Sequence, residues 1–82
     1  MSGPVISYVP FDEFIASLRV DGLSRDADRL HFMIYKVAWT TGSELIEELG
    51  QAMKDIAQQH GDSFSNNTRA RMEAAFEIVR KV

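Results

Sequence analysis

Residues 30–39 read LHFMIYKVAW, and the conformation of this stretch decides the architecture of the 82-residue chain. It is rich in aromatic and β-branched residues, as a strand buried on both faces would be. Its length argues otherwise. Most strands run about 4–8 residues, whereas the apolar pattern here starts at Ala27 and continues through Leu30, Ile34, Val37 and Ala38 at helical spacings. Ser24 stands where an N-cap is wanted, and Asp26 and Asp28 suit the positive end of a helix dipole. The pattern therefore predicts a helix over residues 25–39. An α+β arrangement, with 30–39 as a strand beside Val5–Val9, is the alternative.

Working outward, the remaining segments are all helical by the same test. Pro10 suits a first helical turn, Phe11, Phe14, Ile15 and Leu18 recur every three or four residues, and Asp21-Gly22 ends the run, giving a helix over 10–20 behind an extended arm at 1–9. Thr41 or Ser43 can cap a helix over 44–60, whose stripe is Leu45, Ile46, Leu49, Ala52, Met53, Ile56 and Ala57, and Gly61 is a candidate left-handed cap at its end. Ser65, Asn66 or Asn67 can cap a last helix over 67–81, with Met72, Ala75, Phe76 and Val79 inward and charged residues outward. The expected fold is all-α: one compact four-helix domain spanning residues 1–82, either an antiparallel bundle or a less regular array.

Composition narrows the possible functions. A chain this short buries only about 60–65% of its unfolded surface, so its core is thin. Small secreted domains commonly offset a thin core with disulfides, and this one has no cysteine, so a reducing, cytoplasmic setting is expected. The N-terminal MSGPVISYVPFDEF lacks the basic start and apolar run of a signal peptide, and the longest apolar run, Phe32–Tyr35, is far short of a membrane span. The net charge of −3 weighs mildly against polyanionic partners.

Catalytic signatures are lacking. Neither His31 nor His60 has a serine placed as a nucleophile beside it, and the five glycines are scattered instead of forming a phosphate-binding loop. Asp28 and His31 make a D-x-x-H pair on one side of a helix, but a metal site needs more ligands, which Glu44, Glu47 and Glu48 would have to supply. No catalytic residue, metal or cofactor is assigned. A helix-turn-helix nucleic-acid binder is the alternative, and a small metal-dependent enzyme is the second. Against the former, residues 41–61 carry four acids and one lysine, and residues 62–82 have a balance of only +1.

One feature asks for more than a core. Around the helix at 25–39, Phe32, Tyr35 and Trp39 gather with Lys36 on the side opposite the Leu30–Ile34 arc. Such a helix is either sandwiched inside its own domain or presents one face to a partner. Aromatic anchors beside a cation favour the second. The expectation is a non-enzymatic protein–protein interaction module, self-associating as a homodimer through Phe32, Tyr35, Lys36 and Trp39. Gly50 borders the stripe of its helix and is expected to mark a close helix crossing, within the chain or between copies.

Overall fold

The structure is a computed structural model, and it describes residues 8–37 and 42–81. Four helices run α1 (Val9–Val20), α2 (Ser24–Tyr35), α3 (Gly42–His60) and α4 (Asn66–Lys81), with a 3₁₀ turn (Gly61–Ser63) between the last two. No strand occurs among the described residues, and residues 30–35 are helical, so the α+β alternative falls. Of the expected N-terminal arm, residues 1–7 lie outside the described residues, and Val9 already opens α1.

Polar contacts give the direction of each packing. Asp12 meets Tyr35 and Arg19 meets Asp28, so α2 runs back along α1. Arg29 meets Asp55 and Asp26 meets His60, so α3 runs back along α2. Glu13 meets Arg71 and Ser17 meets Asn67, so α4 runs back along α1. Gly50 and Val79, about equally far from the α3–α4 turn, face each other, completing an antiparallel ring. The ring order is α1, α2, α3, α4 and back to α1.

The core follows the apolar periodicity. Phe11, Phe14, Ile15 and Leu18 of α1, Ala27 and Leu30 of α2, Leu45, Ile46, Leu49, Ala52, Met53 and Ile56 of α3, Phe64, and Ala75 of α4 are all buried. Burying each large apolar side chain contributes about 1.5–3 kcal/mol before chain entropy is counted. Gly50 sits at a close approach. A Cβ there would lie 2.8 Å from Val79 Cγ1, so the crossing that glycine permits is within the chain, between α3 and α4.

Several ends differ from expectation. α1 closes in a Schellman motif, Leu23 N–H donating to Leu18 O at 2.8 Å and Gly22 N–H to Arg19 O at 3.1 Å, with Gly22 at φ +82°. That tie carries the chain straight into α2. The N-cap is Leu23, without a side-chain cap, and Ser24 is already the first helical residue. Gly61 does not adopt the left-handed conformation expected of it. It opens the 3₁₀ turn, and Gly22 is the only glycine with positive φ among the described residues. α2 stops at Tyr35, not at residue 39: Lys36 is its C-cap, and its N–H donates to Phe32 O at 2.9 Å. Tyr35, Lys36 and Val37 carry no stop signal, but aromatic and β-branched residues hold a helix weakly, so little local energy opposes the turn toward α3.

α4 is tied to the end of α1 by a polar network. Ser65 is the N-cap: its Oγ accepts from Thr68 N–H at 3.2 Å. Asp21 Oδ2 accepts from Thr68 Oγ1 at 2.6 Å and from Ser65 N–H at 2.9 Å. The Thr68 hydroxyl, and secondarily the Ser65 amide, hold the Asp21 carboxyl below the usual carboxylate range. Thr68 is fully buried, and Phe14 and Phe64 meet edge to face at 6.0 Å.

Candidate interaction surface

α2 uses one arc for the core and leaves the rest in solvent. Ala27 and Leu30 are buried, and Met33 and Ile34 are half-buried against the core. At about 100° per residue, Phe32 stands roughly opposite the Leu30–Ile34 arc, at the centre of the outer face. It is 57% exposed and Tyr35 is 53% exposed. Among the described residues α2 is therefore not sandwiched. Topology explains the difference: a ring of four gives each helix two neighbours, and those of α2 cover its inward arc only.

The side chains around Phe32 are ordered by their partners. The Tyr35 hydroxyl is held between Asp12 Oδ1 at 3.0 Å and Oδ2 at 2.9 Å, so the ring is pinned against α1 with one side in water. That bond, more than partial burial, pushes the phenol above its ordinary value of 10.0. The His31 ring lies 4.7 Å from the Tyr35 ring. Lys36 is exposed beside them. Trp39, the fourth residue expected on this surface, lies outside the described residues.

The expected D-x-x-H pair does not converge. Asp28 turns to Arg19 at 2.7 Å, while the His31 ring meets Tyr35 at a tilt of 42°. Glu44, Glu47 and Glu48 are on α3, and no group of three or more acidic or histidine residues could hold a metal among the described residues. His60, in the last turn of α3, reaches Asp26 at 3.6 Å. Two surface hollows were not legible in the sequence. One, of ≈ 250 Å³, lies between α1 and α4 over Ser17 and Asn67, and the other, of ≈ 410 Å³, lies at the start of α2 beside Asp26 and His60. In the first, Ser17 Oγ donates to Glu13 O and accepts from Asn67, so the hydroxyl is engaged in the α1–α4 seam. No family model, curated protein or solved structure matches this chain.

The α2 surface carries a charge pattern not evident from totals. Arg25, Arg29 and Lys36 all lie within about 60° of Phe32 around the helix, and all are exposed. Arg29 approaches Asp55 only to 3.9 Å, and Arg25 and Lys36 make no ion pair among the described residues. The two acids of α2 are engaged elsewhere, Asp28 by Arg19 and Asp26 by His60. The outer face of α2 is thus aromatic and basic on an acidic protein. No helix of the described residues is long and apolar enough to cross a membrane.

Proposed function

We propose that this chain is a small non-enzymatic interaction module, a regulator, adaptor or subunit of the cytoplasm, that self-associates through the outer face of α2. Phe32, Tyr35 and Lys36 are its contact residues. The observation carrying this reading is the exposure of Phe32 at the centre of that face, with Tyr35 fixed beside it. A phenylalanine brings about 150–250 Å² of surface, and more than half of this one is wet. Covering it against its own copy uses a single patch twice, as an isologous contact does. Tyr35 enters such a contact at low entropy cost, because Asp12 already orders its ring.

Sedimentation equilibrium of the full chain tests the proposal. The expected result is a species of about twice the 9.3 kDa chain mass at high micromolar concentration. Phe32→Ala should raise the dissociation constant by about tenfold or more and leave the helical circular dichroism signal intact. A wild-type chain that stays monomeric at every accessible concentration overturns the reading.

A further inference from the structure

The aromatic pair is too small to hold a stable dimer alone. Phe32 and Tyr35 from two copies offer about 400 Å² of wet surface, against about 1,200 Å² for a specific interface at the low end. The remainder must come from beside them, and it must suit three cations. The described surface offers such a complement on α3. Residues 42–53 carry Glu44, Glu47 and Glu48 with no basic residue, all three are exposed, and Glu47 and Glu48 make no ion pair among the described residues.

The register of the helices places the two patches end to end. Asp26 is level with His60 and Arg29 with Asp55, so the antiparallel run brings Lys36 level with the Glu48–Gly50 turn of α3. The basic stripe of α2 thus occupies one half of the long direction, and the acidic stretch continues beyond it. A two-fold axis lying in the contact plane, perpendicular to the line that joins the two patches, exchanges them. We propose that the dimer is built this way: the Arg25–Arg29–Phe32–Lys36 stripe of one copy seats on the Glu47–Glu48 face of α3 in the second copy, and the reciprocal contact forms at the other end. The proposal rests on the self-association reading above and adds to it the partner surface. Like charges meet if the copies are turned the other way, so the charges set the register while Phe32 supplies the apolar contact.

A charge-swap experiment in the full-length chain tests it. Arg25→Glu/Lys36→Glu and Glu47→Lys/Glu48→Lys alter exposed side chains only, so both variants should keep the wild-type circular dichroism spectrum. Each alone is expected to sediment as a monomer where the wild type is a dimer, and an equimolar mixture of the two should recover the dimer mass. Wild-type dissociation should also become easier as salt is raised, which holds as a test even if a variant folds poorly. If both swaps remain dimeric, or the mixture stays monomeric, or wild-type association ignores salt, the charge-paired arrangement is overturned. Should Phe32→Ala then still dissociate the dimer, the aromatic contact survives without it. A monomeric wild type removes both, and salt-sensitive retardation of duplex DNA by that monomer, lost in Arg25→Glu/Lys36→Glu, would assign the stripe to nucleic acid.

Discussion

The α1–α4 seam and the outer face of α2 are built from similar residues and put them to opposite ends. In the seam, Phe14 and Phe64 close edge to face and the polar groups pair across it, Asp21 with Thr68 and Ser65, Ser17 with Asn67. On α2, Phe32 and Tyr35 are as large and apolar, yet more than half of each is in water and two cations beside them are unpaired among the described residues. Aromatic content does not separate the two regions. What separates them is whether the ring of helices supplies a neighbour on that side.

The largest expected contrast is in stability. Phe14 is fully buried, and Phe14→Ala should cost about 3–5 kcal/mol, the loss usual for a large core aromatic. Phe32→Ala, measured on the monomer at low concentration, should change stability by no more than about 0.5 kcal/mol. Urea denaturation of the two variants checks this directly. Equal losses would mean that Phe32 belongs to the core, and the contrast between the regions would disappear.

A smaller effect is expected from the seam's polar half. Thr68→Val keeps the shape of a buried side chain but removes the hydroxyl that bonds Asp21 and Ser65, and should destabilise the fold by less than Phe14→Ala does. The pH dependence follows from the Asp21 carboxyl, which folding holds below its ordinary range. Its contribution is complete above the unfolded value and is lost as pH falls through the folded one. Wild-type stability should therefore decline on acidification more steeply than that of Thr68→Val, as thermal melts across the acid range would show. Parallel acid limbs would mean that the network is not coupled to Asp21 ionisation.

The smallest effect belongs to the α2 face. Asp12 favours the neutral Tyr35 phenol, so this contribution is present below the ordinary phenol value and is lost as pH rises through the higher folded one. Ultraviolet titration of tyrosinate should show one late-titrating phenol that moves back toward its ordinary value in Asp12→Asn. Its absence would mean that Tyr35 swings freely, removing the preordering of the proposed contact.

The sequence alone determined the class of fold. The spacing of Phe11, Phe14, Ile15 and Leu18, and of Leu45 through Ile56, was enough to name four helices and most of their buried residues, because an amphipathic helix records its own inward face every three or four positions. Gly22 and Gly50 were legible as a stop and a close crossing for a similar local reason: a missing Cβ marks where backbone geometry is tight. The end of α2 at Tyr35 was not legible, since no capping residue marks it. Nor was the seam, because Asp21 and Thr68 are 47 positions apart, and the local bond of Thr68 to its Ser65 cap says nothing of that distant partner. For the candidate surface, sequence periodicity could say that α2 has two apolar sides but not which side would be covered. Only the tertiary structure decided that, because coverage depends on where neighbouring helices stand, and that is a property of the ring and of no single segment.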